Sequence, residues 1–201
     1  MNLPSYAELA VRLANTAVLA NGEPDPLGSA EECARALGDC LNGPVTGRDL
    51  DVLKYLRDEF TAIFTAAAGG DDKGSMDRMN ALLVQFPIHP EMTNHSDQRW
   101  HVHLAHQGSV ADQFAAGAVI AVALTVSQFG VNRLGVCAIA ACPRVFLDAS
   151  PNKSRRYCAE HAAAKGNVST LRRPSATRPR SGETPAAPEA ESERHSVPAV
   201  S

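Results

Sequence analysis

The chain has 201 residues, a formal net charge of −3 and an aromatic content of only 5%. This length leaves room for one medium domain, a small module and a tail. The five cysteines are an odd number, which argues against a disulfide framework and favours a reducing cytoplasm. The segment from Met1 to Ser5 lacks the positive charge of a signal peptide, and Glu8 and Arg12 interrupt the apolar residues that follow, so export is not expected.

Three helix starts are predicted from one signature, a Ser or Thr followed three residues later by an acidic residue. In such a pair each side chain accepts a hydrogen bond from a backbone N–H that the first turn leaves free. The pairs are Ser5 with Glu8, Ser29 with Glu32, and Thr46 with Asp49. These helices are expected to end near Asn21, Cys40 and Gly69, respectively. A fourth helix is expected over about residues 75–85, with an apolar stripe that favours a core position.

Between residues 88 and 106 the apolar residues recur every second position, which predicts a β-hairpin. Trp100 and Val102 alternate with His101 and His103 on the second strand. Together with His106, these histidines could bind a transition metal, so a metalloenzyme is one hypothesis. We favour a ribbon with a polar histidine face and an apolar face packed on the helices. No carboxylate adjoins the histidines, and the chain has no phosphate-binding Gly-rich loop or serine nucleophile elbow. No enzymatic activity is therefore predicted.

Residues 109–130 predict one long apolar helix, because no charged residue occurs between Gln113 and Asn132. The stretch is long enough for a membrane span. Thr125 and Gln128, with several small residues, dilute its hydrophobicity. We therefore expect a central core helix and no membrane association.

Four potential metal ligands follow with the spacing C-x4-C-x15-C-x2-H: Cys137, Cys142, Cys158 and His161. Two closely spaced pairs separated by a loop of this length can close a tetrahedron around one Zn²⁺. Because all four positions would be protein side chains, no position is left for an activated water, and the zinc would be structural. The alternative is three buried thiols that act as small apolar side chains, with a surface histidine.

Positive charge is concentrated around this motif. From Arg133 to Arg180 the formal balance is +8, which leaves −11 for the rest of the chain. The cations that we expect to contact nucleic acid are Lys153, Arg155, Arg156, Lys165, Arg172 and Arg173. A zinc module with a basic face is typical of a protein that binds the phosphate backbone. A solvated charged surface is the alternative.

The segment from Val136 to Arg173 resembles the CGNR zinc finger at the C-terminus of bacterial proteins described as putative stress-induced transcription regulators. The features shared are C-x4-C, V-F-L-D, N-K-S-R-R-Y-C and a following G-N. Upstream, Asn15-Thr16 resembles the recurring N-T of the ABATE domain that accompanies this finger, and Trp100-His101-Val102-His103 resembles its W-x-H strand. In the family a fourth cysteine precedes Gly-Asn-Arg, whereas here Lys165 and Val168 stand where that cysteine and the arginine would be. We expect His161 to replace the missing ligand, since imidazole also binds zinc.

These observations predict a mainly α protein of the α+β class in three parts. Residues 1–132 form an ABATE-like helical domain with a hairpin near 88–106, residues 133–173 a CGNR-like zinc-finger module, and residues 174–201 a disordered tail rich in Pro, Ala, Ser and Glu. The predicted function is that of a cytoplasmic, DNA-binding transcription regulator with one structural zinc. A protein partner, a homodimer or a small-molecule effector is compatible with this prediction. The alternatives are a zinc-stabilised protein-interaction module and the metalloenzyme based on His101, His103 and His106.

Overall fold

The structure, a computed structural model, describes residues 3–18, 23–94, 100–103 and 108–170. Six helices and four short strands occur in these ranges. They are α1 (Leu3–Asn15), α2 (Ala30–Leu37), α3 (Gly47–Ala68), α4 (Asp72–Gln85), β1 (Glu91–Thr93), β2 (His101–His103), α5 (Val110–Phe129), β3 (Leu134–Val136), β4 (Val145–Leu147) and α6 (Ala159–Thr170). The two strand pairs are antiparallel hairpins, β1 with β2 and β3 with β4. The predicted mainly α fold with small β-elements is confirmed.

Two of the three predicted capping signatures begin helices. Ser29 Oγ accepts from the backbone N–H of Glu32 at the start of α2, and Thr46 and Asp49 form a complete capping box at the start of α3. The prediction from Ser5 is wrong, because α1 already begins at Leu3. Pro4 is compatible with a first helical turn, where its missing N–H leaves no hydrogen bond unmade, so the helix starts earlier.

The ends of the predicted helices agree with the structure in part. The second ends in a short 3₁₀ turn over Gly38–Cys40, and the third ends at Gly69, as expected. The helical residues of α1 end at Asn15, and its predicted end near Asn21 lies outside the described residues. The fourth helix, α4, starts at Asp72, three residues before the predicted start, because Asp71 accepts from the backbone N–H of Gly74.

The core is formed mainly by α1, α3, α4 and α5. Phe60 and Phe64 of α3 are fully buried, as are Val119 and Val122 of α5. Within the described residues, α5 is long and apolar enough to cross a membrane. Its contacts with α1, α3 and α4 instead make it a helix of the protein core, as the sequence predicted.

The β1–β2 hairpin differs from the expectation. Met92 and Val102 are cross-strand partners on one face, and both are exposed, as is Trp100. The prediction that this apolar face packs on the helices is therefore wrong. The alternation of residue types predicted the strand but could not show whether a partner covers its apolar face. The side chains of His101 and His103, and all of His106, lie outside what the structure describes.

The β3–β4 hairpin is part of the main core. Leu134, Val145 and Leu147 belong to the same buried cluster as the helices. Because hydrogen-bonded pairs alternate along an antiparallel ladder, the N–H and C=O of Val145 point away from β3. The Asn15 carboxamide, at the end of α1, satisfies both: Nδ2 donates to Val145 O at 3.0 Å, and Oδ1 accepts from Val145 N at 2.8 Å. One side chain thus takes the place of a neighbouring strand.

Asp49 joins the starts of two long helices. Its Oδ2 accepts from the backbone and hydroxyl of Thr46, and its Oδ1 accepts from the backbone N–H of Ala111 in the first turn of α5, at 3.0 Å. The residue is 1% exposed. Burial alone would raise the pKa of this carboxyl, but the hydrogen bonds from Thr46 and Ala111 outweigh burial and hold the pKa well below its usual range.

We expect Asp49→Asn to lower the free energy of unfolding by about 2–3 kcal/mol, because the new NH₂ group would face backbone donors. A depressed folded-state pKa contributes stability above the unfolded value of about 4, and this stability is lost as the pH falls below it. Urea unfolding from pH 7 to pH 3 should therefore show a steeper loss for the wild type than for Asp49→Asn. Asp112→Asn is the matched control, since Asp112 caps α5 alone, and should cost about 1 kcal/mol. Equal losses of unfolding free energy in Asp49→Asn and Asp112→Asn would contradict the bridging role of Asp49.

We expect Asn15→Ala to destabilise the protein by about 1–3 kcal/mol, because it leaves the outward N–H and C=O of Val145 without partners. Asn15→Asp should not rescue it, since a carboxylate cannot donate to Val145 O. The control is Asn80→Ala on the exposed face of α4, which should be neutral or slightly stabilising. Hydrogen exchange of the Val145 amide reports the contact directly, and unchanged protection in Asn15→Ala would refute this assignment.

Candidate metal centre and basic loop

Four ligand atoms converge where the β3–β4 hairpin meets the start of α6. Cys137 directly follows β3, Cys142 lies in the turn before β4, and Cys158 immediately precedes α6. His161 lies in the first turn of α6. The turn is closed by Cys142 N donating to Ile139 O at 2.8 Å, and Ala138 N donates to Arg156 O at 2.9 Å. The second of these bonds ties the two ligand pairs together.

The distances fit a tetrahedral zinc. His161 Nδ1 lies 3.4 Å from Cys137 Sγ and 3.4 Å from Cys158 Sγ, and Cys142 Sγ lies 4.0 Å from Cys158 Sγ. All four ligand atoms lie within 4.8 Å of one another. With Zn–S bonds of about 2.3 Å and Zn–N bonds of about 2.0 Å, a regular tetrahedron has edges of about 3.8 Å between sulfurs and about 3.5 Å between sulfur and nitrogen. The donor set and its spacing therefore match zinc.

The surroundings of the thiols favour metal binding. Burial opposes ionisation of Cys137, but hydrogen bonds from the backbone N–H groups of Cys158 and Ile139 outweigh it and lower the pKa of this thiol to about 6. Burial, together with the neighbouring sulfurs, raises the pKa of Cys142. A divalent cation relieves the repulsion between such thiolates. Ile139 and Tyr157 pack against the cysteines and limit the access of solvent.

His161 occupies the fourth corner, and Lys165 lies one helical turn further along α6. Residues four apart share a helix face. In the resembled family the cysteine ligand would stand at position 165. An imidazole is longer than a cysteine thiol, so His161 can reach the site from one helical turn earlier. Among the described residues, this is the one cluster of Cys, His or acidic groups with the geometry of a metal site.

A basic loop, which we define as residues 148–157, follows β4 and is held by Asp148. This carboxylate is 4% exposed and accepts from Ser150 N at 2.8 Å, from Ser150 Oγ, and from Arg155 N at 3.1 Å. Ser154 N donates to Ser150 Oγ at 2.9 Å. Burial would raise the pKa of Asp148, but these hydrogen bonds and the nearby Arg133 lower it. The carboxylate is therefore a charged anchor that gives the loop a fixed shape.

The three cations of the basic loop differ in their roles. Arg155 is half-buried: its Nε donates to Tyr157 O, its NH1 to Leu147 O, both at 3.1 Å, and its guanidinium lies 5.3 Å from the centre of the Phe146 ring. Lys153 and Arg156 are exposed. All three line a groove of about 310 Å³ beside the C-terminal end of α3. Arg155 supports the loop, while Lys153 and Arg156 present their charge to solvent.

The structure describes only part of the other residues that were predicted to contact nucleic acid. The backbone of Lys165 is helical in α6, but its side chain lies outside the described residues, as do Arg172 and Arg173 entirely. Two further cations near the zinc site already have partners. Arg144 pairs with Glu160 at 3.1 Å, and Arg133 NH1 donates to Asp148 O. The formal charge of the segment therefore exceeds the charge that is free to meet phosphate.

Two structural roles were missed from the sequence alone. In the sequence Asn15 stands out only by its resemblance to a family motif, and nothing local pairs it with Val145, 130 positions away. In the sequence Asp148 only lowers the positive charge of residues 133–180, whereas in the structure it organises the basic loop. The sequence does contain a signal for this role of Asp148, because an Asp two residues before a Ser is typical of a side chain that closes a turn.

The fold and the site define a helical domain that carries a structural zinc module on its surface. Residues 7–128 match the model of the ABATE family, described as "Putative stress-induced transcription regulator", and residues 133–173 match the CGNR zinc finger. The chain belongs to the ABATE family. The expected cofactor, one structural zinc, is confirmed. The two matched families are those of a regulator and a zinc finger, not of enzymes. No curated protein is similar enough to the chain to count as a match.

We expect His161→Ala to weaken zinc binding on the order of 100-fold, because a total of about 10–16 kcal/mol shared by four ligands is roughly 3 kcal/mol for each. Lys165→Ala, on the same face of α6, is the control and should leave affinity unchanged. Competition with a chromophoric chelator measures the zinc dissociation constants of both variants. His161→Cys should retain zinc, and wild-type affinity in His161→Ala would place the fourth ligand elsewhere.

Proposed function

We propose that this protein is a cytoplasmic transcription regulator that binds DNA through the basic loop and the segment beyond α6. The observation that carries the proposal is the basic loop, where a buried carboxylate and the zinc site together fix Lys153 and Arg156 in exposed positions. Cations held on a rigid loop lose little entropy when they contact phosphate, and each contact releases condensed counterions. Family membership independently supports a role in transcription.

We propose functional parts with the bounds that the sequence predicted. We propose residues 1–132 as a sensing or dimerising domain, 133–173 as the DNA-binding module and 174–201 as a tail. The module is not separate from the helical core, because Val145 and Leu147 are buried with the helices. Its orientation is therefore fixed relative to the helical domain through β4 and Asn15. A change in the helical domain would be transmitted to the DNA-binding surface through this packed junction.

Lys153 and Arg156 are the cations to test, together with Lys165, Arg172 and Arg173. Arg155 is a further candidate, but Arg155→Ala would also remove two hydrogen bonds and the cover over Phe146. Loss of binding in that variant would not separate a phosphate contact from a damaged loop. The test therefore leaves Arg155 in place.

For wild-type protein we expect DNA affinity to fall with salt at a log–log slope of about −4 to −5, the value for roughly five neutralised phosphates. Lys153→Ala combined with Arg156→Ala should reduce the magnitude of that slope by about 2 and lower affinity at least about tenfold at 100 mM salt. The charge-matched control is Arg35→Ala with Arg48→Ala, two exposed positions on α2 and α3. Fluorescence anisotropy across several salt concentrations measures these quantities, with zinc content checked for every variant.

A control double variant that loses as much affinity as the loop variant would show that overall charge, not the basic loop, drives binding. Wild-type protein that binds no DNA at low salt would refute DNA binding. That outcome would support the alternative function, in which a zinc-stabilised module docks an acidic protein through the same loop.

A further inference from the structure

A second cavity, of about 500 Å³, is also lined by residues of the basic loop. Its walls are the C-terminal end of α5, Arg133, and the segment that runs from the end of β4 into the loop. The lining residues include Phe129, Arg133, Leu147, Asp148, Ser150 and Pro151. Its volume is within the usual range for small-molecule sites, which are mostly apolar with a few convergent polar groups.

Arg133 is the one cation among the residues that line this cavity. Its side chain is 10% exposed. NH1 donates to the carbonyls of Asp148, at 3.1 Å, and Ser150, at 2.5 Å, and the guanidinium lies 5.6 Å from the centre of the Phe129 ring. Nε is buried and has no hydrogen-bond partner among the described residues. A buried donor without a partner costs free energy, which an incoming acceptor could recover.

Asp148, the acidic residue that lines the cavity, is already engaged by hydrogen bonds from other residues of the protein. Both oxygens of Asp148 already accept hydrogen bonds, from Ser150 and from Arg155 N. Its closest approach to Arg133 NH1 is 4.0 Å, longer than a hydrogen bond. The unmet hydrogen-bonding capacity among the lining residues is therefore a buried donor on a cation. That capacity favours an anionic ligand and disfavours an amine.

We propose that this cavity binds a small organic carboxylate with an apolar body. The apolar body would lie against Phe129, Leu147 and Pro151, and the carboxylate would accept from Arg133. Phe129 is 51% exposed, so its ring can swing outward and let a ligand oxygen reach the guanidinium. A bidentate carboxylate matches the fork of an arginine better than a single hydroxyl does.

Part of the basic loop itself, residues 149–151, lines this cavity. Of these residues, Ser150 is bonded to Asp148 and to Ser154 N. Asp148 in turn accepts from Arg155 N. A ligand that displaces Ser150 would therefore alter the position of Lys153 and Arg156. This second step rests on the proposed function, whereas binding of the carboxylate does not.

The test is isothermal titration calorimetry of the zinc-loaded full chain with two matched pairs of probes. One pair is octanoate and 1-octanol, and the other is benzoate and benzyl alcohol. We expect saturable one-to-one binding of a carboxylate at least about tenfold tighter than its alcohol, the factor that a charge-assisted hydrogen bond supplies. Ala149→Trp should block the cavity and reduce affinity at least tenfold. Ala34→Trp, at an exposed position of α2, is the matched control and should bind as wild type does.

Arg133→Gln should remove the preference for the carboxylate. Because Arg133 also braces the loop, Ala149→Trp decides the location of the site if Arg133→Gln does not fold. Absence of saturable binding to either carboxylate at millimolar concentration, or equal binding of acid and alcohol, would overturn the proposal. So would equal affinities in Ala149→Trp and wild type.

The DNA step is measured separately, by anisotropy with and without saturating carboxylate. A change of at least threefold in DNA affinity, absent in Ala149→Trp, supports coupling, and an unchanged affinity overturns coupling alone. A chain that binds carboxylate but no DNA would keep the cavity assignment and refute the proposed function.

Discussion

The structure depends most on how one short strand, β4, is enclosed. Val145 and Leu147 are buried with the helices, while Phe146, on the other face, is covered by Arg155. The edge of β4 that lacks a strand neighbour is satisfied by side chains, Asn15 at Val145 and Arg155 at Leu147. A three-residue strand could not hold such a position through its own ladder hydrogen bonds, because an isolated hairpin is marginal in water. Enclosure by the helical domain gives the zinc module a fixed attachment.

The zinc site and the helical domain therefore stabilise different parts of the same module. The helices hold the β3–β4 hairpin, and the metal ligands hold the turn before β4 and the start of α6. The basic loop lies between these two anchors, from Asp148 at the end of β4 to Cys158 at the metal. Because both ends of the loop are fixed and its interior is organised by one carboxylate, its exposed cations have defined positions. A surface of this kind suits contact with a regular array of charges such as a phosphate backbone.

The basic loop also contributes residues to two cavities that differ in the number of cations that line them. One is the groove lined by Lys153, Arg155 and Arg156, and the other is the mainly apolar cavity beside Phe129 and Arg133. Asp148 lines both. Its hydrogen bonds to Ser150 and Arg155 therefore connect the side that would bind a small ligand to the side that would bind DNA. Coupling between two sites requires an element that both can bias, and the basic loop has the right location for that role.

Local patterns in the sequence determined most of the secondary structure and predicted the four Cys and His side chains that the fold brings together. The capping residues at Ser29 and Thr46 and the cysteine spacing act over a few residues, so their consequences can be derived without knowing the fold. Tertiary structure decided the rest. The bond from Asp49 to Ala111, the pairing of Asn15 with Val145 and the cavity beside Arg133 all join segments distant in sequence. The exposure of Met92 and Val102 likewise depends on what lies opposite them, which residue alternation along a strand does not specify.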